Sequence, residues 1–403
     1  MNIKLATTEQ CTGCASCYNA CNKQAVSMIA DSEGFLHPQI DEGRCIGCGM
    51  CEKSCPVIIE NGNDNEFAPH AYAVWSVLDR ARSSSGGAFS AFARLVLSKG
   101  GYVFGASFDE MLHCRHIEVK SIEQLESLRG SKYVQSEIGL IYRRIKGLLR
   151  DDKYVLFCGT PCQVAGLYAF LHKDYDHLLT LDLVCHGVPS DELFHAYISK
   201  VSSRLSGQVN GFEFRRRDGW GKAPSISLSG KLIPLYGVNN LYMEAFDKNA
   251  IFRKSCYTCK FADVPRIGDC TIGDFWGIGR HGSPFKHNVD KGVSLVLTNN
   301  ARGREFLEQL DEADVFVEER DLSEALIENH NILHQSVSKR NRDGIVADML
   351  NSNVSLDEIE KKYKLVDKSL KGIIKRIGVK YHLFPILKSF YNKIIIVKSQ
   401  IMK

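Results

Sequence analysis

Eight cysteines before residue 57 constrain this chain more than any other feature. They fall in two runs, Cys11, Cys14, Cys17, Cys21 and Cys45, Cys48, Cys51, Cys55, each spaced Cys-x2-Cys-x2-Cys-x3-Cys, and Pro56 follows the second. Three closely spaced thiolates hold three irons of one cubane, and the fourth of each run reaches the other cluster. The spacing therefore assigns Cys11, Cys14, Cys17 and Cys55 to one 4Fe–4S cluster. Cys45, Cys48, Cys51 and Cys21 take the second. Gly13, Ala15, Gly47 and Gly49 keep the turns within the runs small enough to wrap a cube. Zinc knuckles would separate their ligands into pairs. A disulfide scaffold would belong to a short secreted chain.

The chain is 403 residues long, room for a small cluster-binding domain and a larger body. No run of about 18 apolar residues exists, so no spanning helix is expected. The opening MNIKLATTEQ has no apolar signal core. Thiolate-bound clusters need a reducing compartment, so the expected location is cytoplasmic. From Lys361 to Lys403 there are 12 Lys or Arg and one acidic residue, a net +11 within a chain of net +4. The body is therefore acidic, which argues against nucleic-acid binding. The tail interleaves its charge with Ile373, Ile374, Ile377, Leu383, Phe384 and Ile394–Val397. That is the pattern of a basic amphipathic helix lying at the inner face of a membrane, or of a terminal helix packed on the body.

Residues 61–70 read as a polar linker. Beyond it, strands at YAVWSV, YVFGASF and HIEV alternate with a helix carrying Phe89, Phe92, Leu95 and Val96 on one face. A second helix is expected over 136–150. YVLFCGTPCQVAGLYAFL and LLTLDLVCHGVPSDELFHAYISKVSSRL each read as strand, turn, helix. Their continuous apolar strands suit a sheet buried on both faces, with some strands parallel. Residues 209–236 look antiparallel, and 320–362 helical.

Several turns carry groups able to do chemistry. Ser83–Gly87 precedes a helix, where amides and hydroxyls form an anion cradle or simply an N-cap. Ser84, Ser85, Gly86 and Gly87 are its candidates. Gly130-Ser131-Lys132-Tyr133 offers Lys132 to a phosphate or a cofactor ring, or is a surface turn. Gly159-Thr160-Pro161-Cys162 and Val184-Cys185-His186-Gly187 each follow a strand, where open sheets bind ligands. His186 is a candidate proton donor or a turn residue. Asp269 and Asp274 could orient sugar-like hydroxyls or stabilise turns. Arg215–Arg217 could receive an anion or face solvent. Cys256-x2-Cys259 is a metal half-site, and Cys162 with Cys185 completes four thiolates. Zinc or a third cluster would fit, and Cys270 competes as a ligand.

Together SSSGGAF, RGSKYVQS, GTPCQVAGL, LVCHGVPS, CYTCKFADVPRIGDCTIGDFWGI and GVSLVL resemble the coenzyme F420 hydrogenase/dehydrogenase beta-subunit family. The resemblance covers residues 71 to about 345. It implies FAD beside a 4Fe–4S cluster and exchange between hydride and single electrons. It places cysteines at 162, 185, 256 and 259 and aliphatic residues at 158 and 270, so Cys158 and Cys270 drop out as ligands. Similar bacterial proteins with a fused two-cluster ferredoxin domain occur beside polysaccharide-synthesis genes. The expectation is an iron–sulfur flavoprotein oxidoreductase served by a redox partner protein or a small-molecule hydride donor. A non-catalytic electron-transfer subunit is the alternative. Lys132 and His186 are the expected catalytic residues. Ser84, Ser85, Gly86, Gly87, Ser131, Lys132, Tyr133, Gly159, Thr160 and Asp274 are the expected FAD residues. The expected architecture is α+β or α/β: a ferredoxin-like domain over 1–60, the linker, a mixed-sheet α/β flavin domain over 71–345 and a helical basic tail over 346–403.

Overall fold

The structure is a computed structural model that describes residues 3–59, 65–215, 220, 221, 223–381, 383, 386 and 387. Arg216, Arg217, Phe384, Ile394–Val397 and residues 61–64 of the linker lie outside the described residues.

The N-terminal part is a hairpin, β1 (Val26–Ala30) and β2 (Leu36–Ile40), with short helices Ser16–Ala20 and Met50–Lys53. Its cysteine turns need left-handed backbone. Gly13 has φ of 68°, and a β-carbon there would stand 2.8 Å from Gln135 Nε2.

The body is built on β3 (His70–Ser76), β4 (Tyr102–Phe108), β5 (Cys114–Val119), β6 (Val155–Gly159) and β7 (Leu178–Leu183). A separate antiparallel sheet comprises β8 (Val209–Glu213), β9 (Ser225–Leu228) and β10 (Lys231–Pro234). Completing the main sheet are β11 (Cys270–Asp274), β12 (Ser294–Thr298) and β13 (Val315–Arg320). Its eight strands run β13-β3-β12-β11-β7-β6-β4-β5. β4, β6, β7 and β11 are mutually parallel, and the outer pairings are antiparallel.

The middle strands are largely apolar, Thr180 and Asp182 of β7 and Thr271 and Asp274 of β11 apart, because helices cover both faces. Side chains alternate across a strand. Val103 and Leu156 join Phe92 and Val96 on one face, while Phe104, Val155 and Phe157 join Tyr142, Val164 and Leu167 on the other. Ala15 and Ala20 of the N-terminal part pack into that second core. The helix Pro161–Leu171 begins at once after β6, with Pro at its first turn and a Thr160–Gln163 capping box. Ser190 caps the helix Asp191–Arg204 by accepting from Leu193 N–H at 3.2 Å.

Two expectations shift. The helix expected over 136–150 spans only Ile141–Arg150. Residues before it are drawn into tertiary bonds: Glu137 N–H donates to Cys114 O, and Gln163 Nε2 donates to Ser136 O. The expected boundary at 345/346 falls inside the helix Arg342–Leu350. Ile345, Val346 and Met349 share one core with Leu356, Ile359, Leu365, Phe194 and Tyr242, so burial carries the body past that point.

Candidate redox site

Three strand ends converge on one face of the body. β6 runs into Thr160, β7 into Val184–Gly187, and β11 ends at Asp274. They open on a cavity of about 290 Å³, close to the lower end of the ~300–1,000 Å³ usual for ligand pockets. Nine of the ten residues expected to hold FAD line it; Gly86 does not. His186 also lines it. The Ser83–Gly87 and Gly130–Tyr133 turns, 47 residues apart, are joined where Ser131 N–H donates to Ser84 Oγ at 3.0 Å.

Gly86 lies behind the wall. A β-carbon there would stand 2.2 Å from Val74 O and 2.5 Å from Ser294 N, so the missing side chain lets two strands close. Lys132 donates to Ser127 O at 3.2 Å and Arg129 O at 2.8 Å, and so is tied to the preceding turn. The Asp274 carboxylate accepts from Arg215 and, at 2.6 Å, from Trp220 Nε1, which turns it into the anchor of a cation rather than a free acceptor. Asp269 points away: Thr180 N–H donates to it at 2.8 Å and Asn300 Nδ2 at 3.0 Å, a structural role, with burial raising its pKa.

Arg215 is the residue with unfinished bonding. It is buried, lines the cavity, and leaves its Nε without a hydrogen-bond partner. A buried unpaired donor costs about 1–3 kcal/mol, which an accepting ligand would recover. This observation fits a cofactor carrying acceptors. The neighbouring ring surface is Trp276, stacked on Trp220 with centroids 4.8 Å apart.

The sequence reading missed His116. It lies on β5, distant in sequence, and carries no local motif. Its Nε2 donates to Cys158 O at 3.0 Å and its Nδ1 accepts from Ser136 Oγ at 2.9 Å. Ser136 Oγ accepts in turn from Gln163 Nε2 at 3.1 Å. Burial lowers the His116 pKa to about 4, so the ring is neutral at physiological pH.

A smaller cavity of about 40 Å³ adjoins the first and is lined by Cys162, Cys185, Cys256 and Cys259. The two cavities share Thr160, Cys185, His186, Gly187 and Val188. Burial pushes all four pKa values up, with neighbouring thiols adding to it at Cys162, Cys185 and Cys256, to about 12 for Cys256 and about 11 for Cys162. Cys158 and Cys270 are elsewhere. Cys158 borders the larger cavity, and Cys270 is fully buried with its Sγ toward Gly303 O at 3.5 Å. Zinc bonds of about 2.3 Å to sulfur would bring four thiolates within about 4 Å of one another. Among the described residues, no three cysteine sulfurs all lie within 4.8 Å.

Cys17 senses Cys11, Cys55 and Cys51, and Cys51 senses Cys21, so the N-terminal cysteines lie close together. Cys14 senses Cys162, and a β-carbon on Gly166 would stand 3.0 Å from Cys14 Sγ. The join is held by Arg253, only 2% exposed. It donates to Cys11 O at 2.6 Å, Leu36 O at 2.9 Å and Gln135 Oε1 at 3.1 Å, and pairs with no carboxylate among the described residues. A buried cation is costly without negative charge nearby. Thiolate-ligated clusters would supply it, and Arg253 opposes the rise that burial imposes on Cys162 and Cys256. The loop bearing Cys256 and Cys259 is pinned by Arg266, whose Nη2 meets Asp182 Oδ1 at 2.8 Å, both fully buried.

A cluster-binding N-terminal part docked on a mixed α/β body defines an iron–sulfur electron-transfer protein of the oxidoreductase kind. Residues 152–324 match the family described as the C terminus of the coenzyme F420 hydrogenase/dehydrogenase beta subunit, and residues 10–59 match the 4Fe-4S dicluster domain. Over those stretches the chain is similar to that beta-subunit family and to dicluster domains. An uncharacterised protein of Methanocaldococcus jannaschii is 23% identical over 350 residues, covering 75% of this chain and 87% of the relative. Among solved structures, the F420-reducing [NiFe] hydrogenase complex from Methanosarcina barkeri has a similar chain. It is 15% identical, with 78% of this chain and 97% of that chain covered, at a TM-score of 0.45.

Proposed function

We propose that the larger cavity holds FAD and that the protein exchanges electron pairs there for single electrons carried by three 4Fe–4S clusters. The carrying observation is the shared wall. Cys185 to Val188 borders both the cavity and the four-cysteine group, so an electron has no intervening layer to cross. FAD, when bound, exchanges a hydride with a small donor or acceptor and passes electrons singly. Ser84 and Ser131 would offer hydroxyls to phosphate oxygens. Arg215, held by Asp274, offers a fixed positive charge. His186 stands where both cavities meet, its ring 6.2 Å from that of Phe246, and would hold or move a proton at its ring nitrogen.

A third cluster in the group of Cys162, Cys185, Cys256 and Cys259 suits a chain that already carries two cluster-binding runs. The order of relay follows from proximity: this group, then the cluster of Cys11, Cys14, Cys17 and Cys55, then that of Cys21, Cys45, Cys48 and Cys51. The last includes the exposed Cys48 and lies beside exposed Ile46, a natural contact for a redox partner.

No helix of the described residues is long and apolar enough to cross a membrane. The helix Leu370–Lys380 instead exposes Leu370, Ile373, Ile374 and Ile377, one apolar stripe among basic residues. That outward stripe supports peripheral contact with an anionic membrane surface.

The test is anaerobic purification with iron, sulfide, zinc and flavin assays. About twelve irons and one FAD per chain are expected. About eight irons with one zinc would refute the relay, and a chain without flavin would refute the cavity assignment.

A further inference from the structure

A second group of metal-binding side chains lies outside the redox site. His113 is in the turn between β4 and β5. Asp191 opens the helix Asp191–Arg204, and His195 follows one turn later on the same face. Among the described residues, this is the group whose ligand atoms all lie within 4.8 Å of one another. His113 Nδ1 is 2.6 Å from Asp191 Oδ2, and His195 Nε2 is 3.5 Å from the same oxygen. The two imidazoles lie with centroids 4.2 Å apart, their planes tilted by 41°.

Three features mark a prepared site rather than a chance salt bridge. His195 Nε2 is buried and has no hydrogen-bond partner, although it is aimed at the carboxylate. Asp191 spends its other oxygen on Cys114 N–H at 3.0 Å, which leaves Oδ2 for the group. The turn bearing His113 is held by Asp109, whose Oδ1 accepts from Met111 N–H and His113 N–H, both at 2.9 Å. Supporting bonds of this kind orient metal ligands. Leu112, just before His113, has φ of 66°, a conformation costly for a residue with a side chain and kept only when surroundings demand it.

We propose that His113, Asp191 and His195 bind a single zinc-type divalent ion. Two imidazoles and one carboxylate suit zinc and its neighbours and are poor ligands for calcium or magnesium, which take mostly oxygen. Three protein ligands leave one tetrahedral position for water or an outside group. The ion would tie the β4–β5 turn to the helix that follows the Cys185 segment. That helix's cap, Ser190, donates to Glu33 O of the N-terminal part at 2.5 Å, so the clamp would steady the docking of the cluster-binding region. The site is independent of the flavin and of the third cluster.

The experiment uses the cluster-loaded full chain, purified anaerobically, stripped with a mild chelator and titrated with zinc chloride alone. Crystals soaked in zinc chloride should show an anomalous peak between His113 Nδ1, Asp191 and His195 Nε2, present above the zinc edge and absent below it. His113→Gln and His195→Gln should each weaken zinc binding at least about tenfold while leaving the iron count unchanged. Zinc should raise the melting temperature of the parent and not of either variant. A peak only at cysteine sulfurs, no peak at all, or zinc affinity unchanged in both variants would overturn the proposal. The crystallographic arm needs no variant, so it stands even if a substitution prevents folding.

Discussion

Replacing Cys185 with alanine, beside a Cys270→Ala control, separates the proposed four-cysteine group from its competitor. Three clusters amount to about twelve irons, so losing one leaves about eight. Cys185 lines the small cavity with Cys162, Cys256 and Cys259, and its pKa is raised by burial and then by Cys256 and Cys162. Those thiols would stay protonated at neutral pH unless a metal centre drew off their protons. With one ligand gone, the group should bind no stable four-iron cluster and fall by about four irons, or by about one to a labile three-iron form. Cys270 faces Gly303 in the core behind the sheet. Its truncation removes one small buried atom, a cost of about 1 kcal/mol, and no iron. Iron and sulfide are counted against protein after anaerobic purification, with electron paramagnetic resonance of the reduced state to count clusters. If Cys270→Ala loses four irons while Cys185→Ala keeps twelve, the ligand set is wrong.

Lys132→Ala should lower flavin content while leaving iron unchanged, because it removes a fixed charge from the cavity wall; equal flavin in parent and variant would refute its role. Gly86→Val should instead reduce the yield of folded protein, since its β-carbon would overlap Val74 O and Ser294 N; normal yield and melting temperature would contradict the packing. Arg253→Met should strand the buried carbonyls of Cys11 and Leu36 at about 1–3 kcal/mol each, and limited proteolysis should then release the N-terminal part faster than in the parent. His116 titrates near 4 when folded and near 6.5 when unfolded, so its stabilising contribution is present above pH 6.5 and is lost as pH falls toward 4. From pH 7 to pH 5 the parent should lose about 2 kcal/mol that His116→Phe does not, read from denaturation midpoints; parallel pH profiles would refute it. Binding to anionic vesicles should weaken with salt and with deletion of 365–403, and no binding at low salt would exclude membrane contact.

Local spacing announced much of this protein. The two cysteine runs state their chemistry because cluster ligation demands short, regular intervals, and the apolar runs around Val155 and Leu178 state a buried sheet for the same local reason. The turns after β6 and β7 could be marked as ligand-facing because the end of a strand is legible in a chain. The partners were not. His116 reaches Cys158 across 42 residues and Arg253 reaches Cys11 across 242, and neither sits in a motif. Asp274 looked like a free acceptor until folding brought Arg215 and Trp220 to it, and Gly86 looked like part of an anion cradle until two strands closed over it. Burial, and the need to satisfy every polar group that it traps, is decided by the whole chain at once. Spacing names which residues can do chemistry; only the packed structure decides which of them remain available for it.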